Sequence, residues 1–571
     1  SLSIDGGSDK TTFRVGYARN DEKGVLPNGK MSKNMFNFSG THDLNTQLTV
    51  STSGSYSKVE GRGRYGTGYN GLNLNQGFRQ WFQTNVDLKD LKAAYDRTGK
   101  NITWNWANIN ADKPIYTNNP YWERYHNYQN DSRDRYFGNA LVNWKPLTWL
   151  NIMGRVSLDG YSELQEERLA VGGTEVSEYQ RFDHAFNEAN YDLLVNVDKE
   201  LAPELQLHAI LGANMRRNYE RSMRAKTNGG LIIPDLYSLS NSVNPIEAPE
   251  ETVERTAVDG LFANFNLGYK DTYFLEASIR RDQSSTLPAA NNVYWYPSLS
   301  ASFMFSKLLQ EQSWLNYGKL RVNYAEVGAD AQALSLFNIY KLNTLFDGIP
   351  LASVSEELRN ANLKPERIKS FEIGTELRFL QERLGLDISY YDSKSIDQII
   401  PVDVSGATGY KQRWVNAGTL SNKGVELSAF VIPIRTTNFS WTLNANFARN
   451  KSMMTEIYGE NTNIQLGSFQ AGITLNASKG QPYGTLKGVD FLYIKGHEGD
   501  KNYRIVGDDG YYLQSAAGQV LGNIIPDWTA GMQNNFKYKD LSLSFLIDIK
   551  KGGSIFSLDQ YYVMATGLYP E

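Results

Sequence analysis

The chain has 571 residues, a formal net charge of −4 and no cysteine. That charge gives no electrostatic case for nucleic acid, and the missing thiols exclude disulfides, thiol catalysis and cysteine-based zinc sites. No apolar run approaches the ~18 residues of a membrane helix, a finding that leaves transmembrane strands open because every second residue of such a strand can be polar.

Ser1 begins within a strand-like pattern, with neither an initiator methionine nor a signal peptide, so the chain is expected to be processed or partial at that end. Leu44, Thr46, Leu48, Val50, Thr52 and Tyr56 then share one face, opposite Asn45, Gln47, Thr49, Ser51, Ser53 and Ser55. The same alternation runs through Tyr191–Val197, Leu205–Ala213, Leu320–Tyr324, Phe371–Phe379, Val425–Val431, Trp441–Phe447 and Leu541–Ile549. NLGYKDTYFLEASIR, Asn266–Arg280, is the plainest case. Leu267, Tyr269, Tyr273, Leu275, Ala277 and Ile279 fall on one face and Asn266, Glu276, Ser278 and Arg280 on the other, around a Lys270-Asp271 turn. The pattern predicts roughly nineteen strands of about 8 to 20 residues and one helix near Leu88–Ala94. Parity fails once: segments 484–495 and 527–537 would run the same way, so a further strand is expected within 496–525.

The connections alternate. Brief turns at Ser8-Asp9-Lys10, Thr41-His42-Asp43, Lys145-Pro146, Leu201-Ala202-Pro203, Lys270-Asp271, Gln381-Glu382 and Lys539-Asp540 separate long segments around 20–32, 59–131, 165–176, 226–251, 327–366, 397–421 and 452–483. Short turns at one end and long loops at the other are the sequence form of an outer-membrane barrel. In water, that many half-apolar strands would need a second layer, and the helices to supply it are lacking. Closing one sheet in lipid turns the apolar face to acyl chains and the polar face to a wet lumen. The fold class expected is therefore all-β, a transmembrane antiparallel up-and-down β-barrel. Tyr294-Trp295-Tyr296, Tyr390-Tyr391, Tyr269 with Tyr273, and Tyr561-Tyr562 fit interfacial girdles or ordinary sheet packing.

LKPERIKSFEIGTELRFLQERLGLDISYYDSKSIDQII (Leu363–Ile400) resembles the SusC/RagA-like TonB-dependent transporters of the outer membrane. GATGYKQRWVNAGTLSNKGVELSA (Gly406–Ala429), GNIIPDWTAGMQNNFKYKDLSLSFLIDIKKGG (Gly522–Gly553) and SLSIDGGSDKTTFRVGYARNDEKGVLPNG (Ser1–Gly29) extend the match in family order. The resemblance implies a barrel of about 22 strands around a plug, energised through the TonB-ExbB-ExbD system and capped by a SusD-like surface lipoprotein. It implies import of oligosaccharide or peptide cargo, with no cofactor and no covalent chemistry, and makes a dimer of heterodimers plausible. Residues 1–571 are expected to be a partial barrel domain, with the plug and TonB segment before Ser1 and further strands after Glu571. The alternative is a SusC-like barrel serving as a scaffold subunit of a larger outer-membrane complex.

Competing chemistry is weak. GRGRYG, Gly61–Gly66, matches a dinucleotide fingerprint, but no amphipathic helix follows at once, and loop glycines explain it better. His42, His126, His184, His208 and His497 lack metal-ligand spacing, and His208 is expected to line the lumen. Gly507-Asp508-Asp509-Gly510 reads as a β-turn with too few oxygens for Ca²⁺. Glu166-Glu167 and Glu250-Glu251 suit solvated loops as well as any acid–base role. The segment 59–131, expected to be a long extracellular loop with a short helix, is richer. Trp81, Trp104, Trp106 and Trp122 stand there with Tyr116, Tyr121, Tyr125 and Tyr128, interleaved with Asn105, Asn118 and Asn119. Aromatic faces and amide hydrogen-bonders suit sugar rings. Contact with the SusD-like cap, or packing of the loop on itself, are the other two readings.

Overall fold

A computed structural model describes residues 1–64, 66–309, 314–459 and 462–568. Among these residues, eighteen strands form one sheet in which each pairs antiparallel with its neighbours in chain order. The first six are β1 (Leu2–Ser8), β2 (Thr11–Lys23), β3 (Lys30–Asp43), β4 (Leu48–Arg62), β5 (Gln129–Leu147) and β6 (Leu150–Leu169). Then come β7 (Glu178–Ala202), β8 (Leu205–Lys226), β9 (Glu250–Tyr269), β10 (Tyr273–Ser284), β11 (Val293–Phe303) and β12 (Leu315–Ala329). The last are β13 (Glu366–Phe379), β14 (Leu384–Ile396), β15 (Thr419–Arg435), β16 (Phe439–Glu456), β17 (Pro526–Tyr538) and β18 (Leu541–Gly552). The sheet is not closed: β1 and β18 are its edges, each paired on one side only among the described residues.

The sheet nonetheless curls. Laid flat, β4 and β18 would stand fourteen intervals apart, roughly 67 Å at ~4.8 Å each. Yet the segment after β18 reaches the loop after β4, where Gln80 Nε2 donates to Asp559 Oδ1 at 2.6 Å. Curling puts one face of every strand inside. Leu267 opposes Leu275, Tyr269 opposes Tyr273 and Phe265 opposes Ala277 across β9–β10. These side chains face outward, with Leu275 47% and Ile279 45% exposed. The opposite face is charged and bonded to itself: Arg135–Asp159 (2.6 Å), Arg155–Asp192 (2.8 Å) and Arg321–Asp387 (2.7 Å) are ion pairs on the inner wall. Where an inner ring needs room, a glycine stands opposite, as Gly385 does for Phe430; a Cβ at Gly385 would sit 2.0 Å from that ring. His208 also lies on this face, 3.3 Å from Asp198.

Short turns and long loops segregate as expected, but the wall has eighteen strands. No wall strand lies in 496–525, and 484–495 is not one either. β16 pairs directly with β17, and residues 457–525 form one long excursion. Its described part carries a small four-stranded sheet built from Asn463–Ser468, Thr474–Ser478, Thr485–Gly488 and Gln519–Asn523. The alternation there is real, but it serves a loop sheet. Removing 484–495 from the wall restores parity without an extra strand.

The aromatic assignments need correction too. Tyr269, Tyr273 and Phe303 do stack on the outer wall beside the short turns (6.4 and 5.1 Å). Alternation splits the others. Trp295 points outward while Tyr294 and Tyr296 turn inward, where Tyr294 joins a cluster with Leu287, Ala331 and Leu363. Tyr390 is outward and Tyr391 inward, its ring lying over Gly424. Tyr561-Tyr562 lies in a helix, Leu558–Ala565, away from the wall. A longer aromatic row is Tyr17, Phe36, Tyr56 and Tyr136, directly opposite one another on the outward face of β2–β5. The three hydroxyls donate to Asn34 (2.8 Å), Asp134 (2.5 Å) and Asn187 (2.5 Å), the wet end of each ring thus finding a partner.

Ile279 lies six residues along β10 from the short turn, near the middle of the apolar band. Ile279→Arg is expected to lower the unfolding free energy in lipid vesicles by roughly 2–4 kcal/mol, and the inward Ser278→Arg by about 1 kcal/mol or less, in urea titrations.

Candidate functional site

The connection between β4 and β5, residues 63–128, is the most structured of the long loops. It leaves the wall at Gly63, whose φ of +73° and whose closeness to Asn28 O (2.2 Å from a built Cβ) leave no room for a side chain. Within GRGRYG, Tyr65 lies outside the described residues, and the next helix starts only at Leu74. The fingerprint is therefore a passage of loop chain.

Three helices follow in the loop: α1 (Leu74–Gln80), α2 (Leu88–Thr98) and α3 (Pro120–His126). The sequence announces α2 most clearly. Asp87 caps it by accepting from Lys89 N, and Gly99, at φ +67°, ends it. Asn119 then ties the loop together. Its Oδ1 accepts from Tyr121 N and Trp122 N, capping α3, while its Nδ2 donates to Leu91 O and Ile102 O, both at 2.8 Å.

A cavity of about 890 Å³ opens among these pieces. Trp81, Trp104, Trp106, Tyr116, Asn105 and Asn118 line it, so six of the eleven residues singled out from the sequence converge. The other five do not: Asn119 ties the loop together, and the Tyr128 ring lies beneath the Arg62 guanidinium (4.3 Å). Trp122 is buried and stacks on His126 (5.0 Å), Tyr125 stacks on Tyr95 (5.7 Å), and the Tyr121 ring lies beneath Lys92 Nζ (5.8 Å). Those three serve the loop's own packing.

The two asparagines lining the cavity also serve the loop. Asn105 Oδ1 receives the backbone N–H groups of Ile115, Tyr116 and Thr117, and its Nδ2 donates to Thr117 O and Oγ1. Asn118 Nδ2 donates to Glu123 Oε2 (2.5 Å), and its Oδ1 accepts from Asn101 Nδ2 and Thr174 N. Both amides are engaged by the loop itself, because a compact loop must satisfy its buried backbone. What faces the cavity is aromatic surface, with Tyr69 and Phe82 added, and carboxylates at Glu123 and Glu175.

Sequence reading missed Tyr69, Phe82, Glu123 and Glu175, and it also missed the cover. Helix α4 (Leu558–Ala565) docks on α1. Tyr562 lies against Tyr69 (5.5 Å) and Trp81 (4.8 Å), and Arg79 pairs with Asp559 at 3.0 Å. No local signal could join residues nearly five hundred positions apart.

Glu123 is the buried hub, 3% exposed. Asn118 and Asn127 both donate to its Oε2, and Asn127 Oδ1 accepts from Ala170 N, so the carboxyl links α3 to the loop after β6. Burial pushes its pKa up to about 7, with nearby Glu175 adding to the rise, against the two amide donors and Arg124, which lower it. A carboxyl whose folded pKa exceeds its unfolded value is most favourable to folding below the unfolded value. That contribution declines as pH rises from about 4.5 to about 7. Hydrogen exchange in residues 118–127, corrected for intrinsic rates, is expected to accelerate across this window in the wild type and to stay flat in Glu123→Gln.

Comparison with known proteins gives this arrangement a family. The model described as "TonB dependent receptor-like, beta-barrel" matches residues 81–563. TonB-dependent receptor P26 of Formosa agariphila is 26% identical over 399 residues, which are 65% of this chain and 39% of that protein. TonB-dependent receptor P39 of the same organism is 23% identical over 97% of this chain and 56% of its own. TonB-dependent receptor SusC of Bacteroides thetaiotaomicron is 23% identical over 51% of this chain and 31% of its own. The chain thus spans between about a third and just over half of these curated relatives. Among solved structures, the RagAB peptide transporter superimposes with a TM-score of 0.80 at 18% identity, over 98% of this chain and 62% of that one, a likeness of fold. The chain belongs to the TonB dependent receptor-like β-barrel family and is an outer-membrane protein.

Proposed function

We propose that the protein is the wall and loop portion of an active importer of oligomeric nutrients, working with a SusD-like surface lipoprotein and energised through TonB. The observation that carries the reading is a division of surface. The outer wall is apolar, the inner wall is charged but internally neutralised, and an aromatic cavity stands in a long loop at one end. In outer-membrane barrels the long loops are extracellular, so residues 63–128 would meet cargo or partner before the lumen does.

The RagAB likeness supports oligomer import, since that complex is described as a peptide importer in "closed-closed" and "open-open" states. For this chain the cargo is oligosaccharide or peptide. Trp81, Trp104, Trp106 and Tyr116 stack on apolar faces of the cargo, while α4 and Tyr562 close the cavity's side. Inner-wall pairs such as Arg135–Asp159 offer a polar surface with little net charge, over which a neutral oligomer moves without being trapped. Each step is binding and release.

Trp104→Ala/Trp106→Ala in the full-length protein is expected to reduce uptake of the cognate oligomer by about tenfold or more, the scale of losing stacked aromatic contacts. Surface amount and heat-modifiability of the barrel should stay unchanged. Uptake equal to wild type would remove cargo contact from this cavity.

A further inference from the structure

On strands β2–β5 the outward charges next above the tyrosine row are paired, Arg19 with Asp21 (2.7 Å) and Lys58 with Glu60 (3.4 Å), while at the strand ends Lys23 lies opposite Lys30 and Lys30 opposite Arg62. The outward face of the arc β12–β16 at that end carries Arg367, Lys369, Lys394, Lys423, Arg449 and Lys451 against three carboxylates, Glu326, Asp392 and Glu456.

The register makes the imbalance acute. Lys369 lies directly opposite Lys394, and Lys423 directly opposite Lys451. Like charges facing each other across a strand pair are destabilising, and the few carboxylates are already engaged. Asp392 holds Lys423 (2.8 Å), Glu326 lies 3.7 Å from Arg367 and 3.8 Å from Lys369, and Glu456 accepts from Thr419 Oγ1. Lys394, Arg449 and Lys451 make no ion pair among the described residues.

Depth identifies what would balance them. Lys394 lies ten residues beyond the short-turn end of β14, Lys423 twelve before that of β15 and Lys451 twelve beyond that of β16. At ~3.3 Å per residue and a tilt of about 40°, this is roughly 25–30 Å, the full height of the apolar band. The cations therefore stand at the headgroup level of the leaflet on the long-loop side, which in an outer membrane is the outer leaflet. Below them Tyr390, Val425, Ile373 and Phe371 present an outward apolar surface to acyl chains.

We propose that this arc is a lipid-binding site, in which Lys394 and Lys451, flanked by Lys369, Lys423 and Arg449, hold a phosphate group of outer-leaflet lipopolysaccharide. A phosphate monoester carries nearly two charges and several acceptor oxygens, so one group balances Lys394 and Lys451, the member of each facing lysine pair that no carboxylate engages. Acyl chains of the same molecule lie along the apolar wall beneath.

The test uses full-length protein purified from outer membranes, as wild type, as Lys394→Gln/Lys451→Gln, and as the control Arg19→Gln/Lys58→Gln, two outward cations that already hold carboxylate partners. Lipopolysaccharide retained per barrel, read by native mass spectrometry, is expected to fall about tenfold in the first variant only, the scale of a lost charge-assisted contact. Vesicles containing lipopolysaccharide are expected to raise the wild-type melting temperature above that in phosphatidylethanolamine vesicles, and inorganic phosphate alone to leave it unmoved. Equal retention by both variants, or equal protection by inorganic phosphate, overturns the assignment.

Discussion

Backbone pairing without a solvent to fall back on is the constraint from which the rest follows. In hydrocarbon an unpaired N–H or C=O costs several kcal/mol, so a chain that crosses by strands must give every strand two neighbours. The eighteen strands here do this in chain order, each antiparallel to the last, leaving only β1 and β18 with a free side among the described residues. Sequential pairing then dictates the period of two, which sorts Leu267, Tyr269 and Leu275 outward and Asn266, Glu276 and Arg280 inward. It also places alternate connections at opposite ends, so one end can stay tight while the other grows. Residues 63–128 and 457–525 are what that freedom at one end permits.

The inner wall answers a second demand. Charged residues keep the lumen wet, but unpaired they would trap a passing ligand. Arg135 with Asp159, Arg155 with Asp192 and Arg321 with Asp387 meet that demand by cross-strand neutralisation. The outward arc of β12–β16 departs from that pattern, with Lys369 facing Lys394 and Lys423 facing Lys451.

Much of the wall was legible in the sequence because a period of two is a local signal and the short turns punctuate it. The Asn266–Arg280 hairpin could be read to the residue, and a helix near Leu88–Ala94 was visible, which the structure extends to Leu88–Thr98 between its Asp87 cap and Gly99. The errors arose where alternation persists but its purpose changes. Of residues 484–495, Thr485–Gly488 join a loop sheet and Phe491 and Tyr493 make only isolated bridges. Tyr294-Trp295-Tyr296 reads as one cluster although neighbouring residues on a strand must face opposite ways. Half of the candidate site was legible for a similar reason: aromatic density in 59–131 is compositional, so Trp81, Trp104, Trp106 and Tyr116 stood out. Glu123 and Tyr562 did not, because burial and a contact between α1 and α4 are properties of the folded loop. The asparagines left several readings open because an amide beside a tryptophan has the same appearance whether it meets a ligand or, as Asn105 does, three backbone N–H groups.

The central claim is that hydrocarbon covers the apolar outward face of the wall, and the absence of native cysteine allows it to be tested one position at a time. Spin labels placed singly at 275, 276, 278 and 279 in bilayer-embedded protein report collisions with oxygen, which concentrates in lipid, and with a water-soluble nickel complex. The account predicts that labels at 275 and 279 relax with oxygen and labels at 276 and 278 with nickel. Equal nickel access at all four positions, or protection of 275 and 279 from both agents, would contradict it.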